Sequence, residues 1–175
     1  MLSHNKYTSQ NQSSQTPVKS LRVLVVDDSA LMRKLVSEMI NHAEGMECIG
    51  TASDGEAAIS CLKDLQPDVI TLDVEMPNMN GIQFLEAMMP IRPTPVVMVS
   101  SLTTEGADIT LACLQRGAID FVMKPSGSIS VDIAKRSFEI VQKVREAAHA
   151  HVRIPRAILQ NIRKGISIDM SQATI

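Results

Sequence analysis

Twice in this chain an apolar, strand-forming run ends on a carboxylate, and that feature limits the folds open to it more than any other. Val69-Ile70-Thr71-Leu72 runs into Asp73, and within a few residues Pro77 and Asn80-Gly81 force the backbone into a turn. Leu21-Arg22-Val23-Leu24-Val25-Val26 runs in the same way into Asp27-Asp28. A carboxylate at the end of a buried strand is costly unless something charged is held against it. Three of them converging on one sheet edge would repel one another unless a hard divalent cation bridged them.

The rest of the chain alternates in the way such strands require. Ser29 is a candidate N-cap for a first helix, whose apolar face is Met32, Leu35, Val36, Met39 and Ile40, closed by Glu44-Gly45. Met46 to Ala52 read as a second strand, Ser53-Asp54-Gly55 as a loop and cap, and Ala58, Cys61, Leu62 and Leu65 as the apolar face of a second helix ended by Pro67. After Gly81 a short helix with Ile82, Leu85, Met88 and Met89 is expected to stop before Pro90. Pro95 to Val99 form a fourth strand ending in Ser100-Ser101, about Gly106 to Arg116 a fourth helix stopped by Gly117, and Ile119 to Met123 a fifth strand stopped by Lys124-Pro125. Beyond Ser126-Gly127-Ser128 a long amphipathic helix carries Ile140, Val141, Val144 and Ala148 to about Ala150. Five strands alternating with five helices call for a doubly wound α/β fold, a parallel sheet covered on both faces. Ligands of such sheets lie outside the carboxyl ends of the strands, where Asp27, Asp28, Asp73, Ser100 and Lys124 all fall.

Composition removes several function classes. A net charge of −2 and a pI near 6.1 give no global field toward nucleic acid or an anionic membrane. No signal core or membrane-length apolar run is present, so no membrane insertion and a cytoplasmic location are expected. With 2% aromatic residues, the 11 methionines and the aliphatic residues must fill the core. Cys48, Cys61 and Cys113 lack metal-ligand spacing and read as reduced thiols in or near that core. His4, His42, His149 and His151 show no ligand or base geometry. Residues 1–20, rich in Ser, Gln, Asn and Thr, read as a disordered leader, 21–145 as the folded domain and 146–175 as a linker-like tail. In that tail Arg153, Arg156, Arg163 and Lys164 interleave with Ile154, Ile158, Leu159 and Ile162, a pattern open to a short basic amphipathic helix or docking segment.

Val-Val-Asp-Asp-Ser, then Asp73 with Met76-Pro77 and Gly81, then Ser100, then Lys124-Pro125 resemble the receiver domain of two-component response regulators over about residues 21–145. Three longer stretches, Glu75 to Gly81, Pro95 to Thr103 and Gly117 to Pro125, resemble the receiver half of the chemotaxis protein-glutamate methylesterase. The resemblance implies a flavodoxin-like, five-stranded sheet of order 2-1-3-4-5 and a phosphoacceptor function with Asp73 as the nucleophile. It further implies Mg²⁺ held by Asp28, Asp73 and the backbone carbonyl of Glu75, with Asp27 acting through a water. Lys124 and Ser100 would sense the phosphoryl oxygens, and Phe121 would be the aromatic that changes rotamer with them. The implied donor is a chemotaxis-type histidine kinase, with a methylesterase domain or a chemoreceptor array as further partners.

The chain stops near where a linker to that hydrolase domain would begin. No Gly-x-Ser-x-Gly turn is present, and no histidine follows Ser167 and Ser171, so these residues are not expected to hydrolyse methyl esters and the chain is read as a non-enzymatic receiver. Nor is a DNA-binding module expected after the receiver. Two other readings stand beside the phosphoacceptor. One is a stand-alone receiver, acting as a phosphate sink or an interaction module. The other is a flavodoxin-like ligand binder, which would need a Gly, Ser or Thr-rich loop where Asp27-Asp28 stand.

Overall fold

The computed structural model describes residues 19–101, 104–125 and 131–163. Eighteen of the twenty leader residues, the Ser126-Gly127-Ser128 loop and the tail beyond Arg163, with Ser167 and Ser171, lie outside the described residues. The elements are β1 (Leu21–Val26), α1 (Ala30–His42), β2 (Met46–Ala52), α2 (Gly55–Leu65), β3 (Val69–Leu72), α3 (Gly81–Ile91), β4 (Val96–Ser100), α4 (Thr104–Gln115), β5 (Asp120–Met123), α5 (Val131–Ala147) and α6 (Arg156–Arg163). All strand pairs are parallel and the order is β2-β1-β3-β4-β5. That is the doubly wound α/β sheet expected from the sequence.

Alternate residues of each strand feed two cores. Val23 and Val25 of β1, Val69 of β3, and Val97 and Val99 of β4 face α1 and α5, where Val36, Ile40, Ile140 and Val144 meet them. Leu24, Val26, Ile70, Leu72, Val96 and Met98 face α2, α3 and α4, where Leu62, Phe84, Met88, Met89 and Cys113 fill the space. Each of these large side chains contributes roughly 1.5–3 kcal/mol on burial. Because strand side chains alternate, a slip of one residue at β1 or β3 would exchange the two cores; the register that carries Asp27 and Asp73 to the sheet edge is thereby fixed.

Local signals set the helix starts. Ser29 caps α1 by accepting from Met32 N–H, and Asp54 caps α2 by accepting from Ala57 N–H (2.9 Å). Asn80 and Gln83 form a reciprocal capping box at α3.

Two boundaries differ from expectation. α3 does not stop before Pro90 but continues to Ile91. Pro90 falls in the last turn, where its missing N–H costs one bond, and Arg92 N–H closes the turn on the carbonyl of Met88 (2.8 Å). α5 ends at Ala147, and turns bonding His149 to Glu146 and Ala150 to Ala147 carry the chain on. Within the tail, α6 buries Ile158 (5% exposed) in the α3 core, with Val152 and Ile154 packed against it. No helix of the described residues is long and apolar enough to cross a membrane.

Candidate functional site

The carboxyl ends of β1 and β3 lie side by side, and the chain leaves each under tight control. Asp27 N–H donates to the carbonyl of Ala52 (3.1 Å) and Asp73 N–H to that of Val26 (2.9 Å), so both acids begin their loops on sheet hydrogen bonds. After Asp73 the loop folds back at once. Gly81 N–H donates to the carbonyl of Val74 (2.9 Å), and Asn78 takes the left-handed conformation (φ 61°). Gly81 lies so close that a Cβ there would sit 2.5 Å from the carbonyl oxygen of Asp73 and 3.0 Å from Val74 Cα. The glycine is required by a backbone contact beneath the acid itself.

Asp27, Asp28 and Asp73 each place a carboxylate oxygen within 4.8 Å of the others. Asp27 is 3% exposed and Asp73 2%, while Asp28 faces solvent. Lys124, at the end of β5, brings its Nζ to 2.7 Å from Asp73 Oδ2 and 2.8 Å from Asp27 Oδ2. Asp73 Oδ1 accepts the N–H of Val74 (2.7 Å), and Asp27 Oδ1 that of Ser29 (2.9 Å).

Burial pushes the Asp73 carboxyl up to about 6, against the lowering effect of the Lys124 hydrogen bond and charge; Asp27 adds to the rise and the Val74 N–H offsets it. Burial alone would depress the Lys124 ammonium, but its hydrogen bonds to Asp27 and Asp73 and their charges hold it above its ordinary value. The two shifts differ in origin: burial dominates the rise at Asp73, whereas the hydrogen bonds and charges of Asp27 and Asp73 raise Lys124 against its burial. The all-oxygen, anionic donor set fits a hard divalent cation.

The other expected site residues are placed differently. Glu75 is exposed, two residues past Asp73. Ser100 ends β4 half-buried, its hydroxyl on the carbonyl of Ser101 (3.4 Å), and its own carbonyl accepts Lys124 N–H (2.9 Å). The ladder thus sets Ser100 beside Lys124 without joining its hydroxyl to the carboxylates. Phe121 is 40% exposed on β5, with the Lys143 ammonium 5.8 Å from its ring centre; that ammonium is paired to Asp120 (2.7 Å).

Sequence reasoning did not single out Arg33. Its Nη1 donates to the carbonyls of Asp27 (2.8 Å) and Asp28 (2.9 Å). One signal was available: a cation in the first turn of α1 stands at the positive end of the helix, where acids are favoured.

The response regulator receiver domain family matches residues 23–134. A protein-glutamate methylesterase/protein-glutamine glutaminase 1 of Albidiferax ferrireducens is 53% identical over 141 residues, 81% of this chain and 38% of that protein. Its counterpart from Pyrococcus horikoshii is 48% identical over 142 residues, again 81% and 38%. The response regulator domain of Thermotoga maritima CheB superimposes with a TM-score of 0.69 at 48% identity, covering 75% of this chain and 98% of that one. A chain of the CheX–CheY–BeF3–Mg complex of Borrelia burgdorferi gives 0.60 at 34% identity, covering 71% and 89%. The chain spans about 38% of the length of the two methylesterases named, and the shared part is their receiver, not the methylesterase part.

Proposed function

The chain belongs to the response regulator receiver domain family, and from that premise we propose that Asp73 accepts a phosphoryl group from a chemotaxis-type histidine kinase in a Mg²⁺-dependent reaction. The observation that carries this reading is the convergence of Asp27, Asp28 and Asp73, with the Lys124 ammonium already on Asp73. Asp28, Asp73 and the carbonyl of Glu75 would hold the cation, with Asp27 acting through a water. When bound, Mg²⁺ supplies positive charge for the oxygens of the group being transferred.

The chain's own residues do the rest. Asp73 offers Oδ1 and Oδ2 at the floor of the site, and its Val74 and Lys124 bonds fix the direction in which the attacking oxygen points. Lys124 exchanges a carboxylate oxygen for a phosphoryl oxygen as its partner. The Ser100 hydroxyl, held among the described residues only by a long bond to Ser101, turns to another phosphoryl oxygen, and Phe121 follows. The face formed by α4, β5 and α5, with exposed Leu111, Phe121 and Phe138, would be the output surface. The similarity to CheB receivers supports a regulatory role toward a receptor-glutamate methylesterase, in the cytoplasm.

Intact mass after incubation with acetyl phosphate tests the assignment. One added phosphoryl group with Mg²⁺, none without it and none in Asp73→Asn is the expected pattern. An Asp73→Asn protein that still gained the group stoichiometrically would remove Asp73 as the acceptor. No gain in the wild-type chain under any condition would leave an interaction module that has kept the receiver shape.

A further inference from the structure

Arg33 has no part in the chemistry above, yet it makes two of the short hydrogen bonds of the β1–α1 loop. Beyond Val26, the last residue of β1 paired in the sheet, the carbonyls of Asp27 and Asp28 have left the ladder. Backbone carbonyls at a crowded site need partners, and a single nitrogen of Arg33 serves both, at 2.8 and 2.9 Å. The two hydrogens on that nitrogen lie in the guanidinium plane at a fixed angle. They therefore set the two peptide planes relative to each other, and with them the directions in which both carboxylates leave the chain.

The two acids differ in how much they depend on this. Asp27 is also fixed by Ser29 N–H on Oδ1 and by Lys124 on Oδ2. Asp28 is exposed, and among the described residues its carboxylate has no hydrogen bond of its own, so its convergence on Asp73 depends on its backbone. Arg33 is itself anchored, since its N–H closes the first turn of α1 on the carbonyl of Ser29 (2.9 Å).

We propose that Arg33 is a positioning residue for the cation site: by clamping the carbonyls of Asp27 and Asp28 it keeps the Asp28 carboxylate turned toward Asp73, and it thereby sets divalent-cation affinity without touching cation or phosphoryl group. This inference rests on the cation-dependent reading of the site given above. Two consequences of Arg33 oppose each other. Its positive charge disfavours a second cation nearby, so charge alone predicts tighter binding when it is removed. Its clamp orders a ligand, so positioning predicts weaker binding. The sign of the change decides between them.

The experiment is calorimetric titration of the full chain with Mg²⁺, with the melting temperature recorded for each protein, on wild type, Asp28→Asn, Arg33→Ala, Arg33→Met and Arg33→Lys. Arg33→Ala and Arg33→Met are expected to bind Mg²⁺ about tenfold more weakly, the usual scale for losing a residue that orients a ligand. Arg33→Lys, which keeps the charge but not the planar guanidinium, should bind Mg²⁺ no more tightly than Arg33→Met. At saturating Mg²⁺ the acetyl phosphate mass gain should return to the wild-type extent in all three, because Asp73 is untouched. Unchanged or tighter binding in Arg33→Ala and Arg33→Met, with only a lower melting temperature, would overturn the proposal and leave a structural residue. Should Arg33→Ala fail to fold, Arg33→Met and Arg33→Lys carry the comparison. A wild-type chain that binds no Mg²⁺, or binds it equally well with Asp28→Asn, would overturn the site reading itself, and this inference with it.

Discussion

The two halves of the site are built to different standards. On β1 and β3 every residue from Val23 to Val26 and from Val69 to Leu72 is buried, Asp27 and Asp73 start on sheet hydrogen bonds, and each carboxylate is held at both oxygens. On β4 and β5, Ser100 holds its hydroxyl by one long bond and Phe121 stands 40% exposed under a lysine that is itself paired elsewhere. Lys124 belongs to the second half by sequence and to the first by contact. Under the proposed function, this difference would separate chemistry from signalling. A reacting carboxylate gains from a single fixed geometry. A reporter gains from alternatives close enough in energy that one charge-assisted hydrogen bond, worth roughly 1.5–3 kcal/mol, can exchange them.

The largest expected effects lie in the fixed half. Asp73→Asn should reduce phosphoryl acceptance to nothing detectable by intact mass and at the same time make the fold more stable. Because burial lifts this carboxyl to about 6 from the ordinary 3.8, the folded state holds the proton more tightly than the unfolded chain. The group therefore costs nothing below pH ~4, and its cost grows as pH rises through about 6. In buffer freed of divalent cations the variant should gain roughly 1–3 kcal/mol at pH 7 and little below pH ~4, read by urea unfolding at the two pH values. A variant less stable than wild type at pH 7 would mean that the Lys124 pairing outweighs burial.

Gly81→Ala is the next largest. Its methyl would meet the backbone of Asp73 and Val74, which cannot turn aside as a side chain would, so a loss of roughly 2–4 kcal/mol is expected, with slower phosphoryl acceptance. A fully active, fully stable Gly81→Ala protein would show that this half is not rigid. Thr71→Val sharpens the comparison from the other direction. Among the described residues the buried Thr71 hydroxyl of β3 has no hydrogen-bond partner, and an isosteric methyl should raise stability by about 1 kcal/mol in thermal or urea unfolding. The smallest effect belongs to the loose half: Phe121→Ala should change stability by less than about 1 kcal/mol and leave acetyl phosphate acceptance intact. A large loss of stability there would make Phe121 a core residue and not a reporter.

Most of the architecture was legible because it is written in local patterns. Asn80-Gly81 marks the turn before α3, Ser29 and Asp54 sit where helices must be capped, and the apolar runs place Asp27 and Asp73 at strand ends. Pro90 misled because a proline stops a helix only where its lost bond and its ring matter, and neighbours in space decide that. The exposure of Phe121 and its approach to Lys143 depend on α5, which no short window around Phe121 contains.

By itself the sequence determined the five strands, the five helices between and after them, and the row of acids, serine and lysine at the strand ends, since alternation, capping and turn residues act over a few neighbours. Tertiary structure alone decided that Lys124, 51 residues from Asp73, would reach both buried acids and that α6 would bury Ile158 against α3. Those outcomes come from competition among groups far apart in the chain for the same few unsatisfied charges and apolar surfaces, and that competition exists only once the sheet has brought them together.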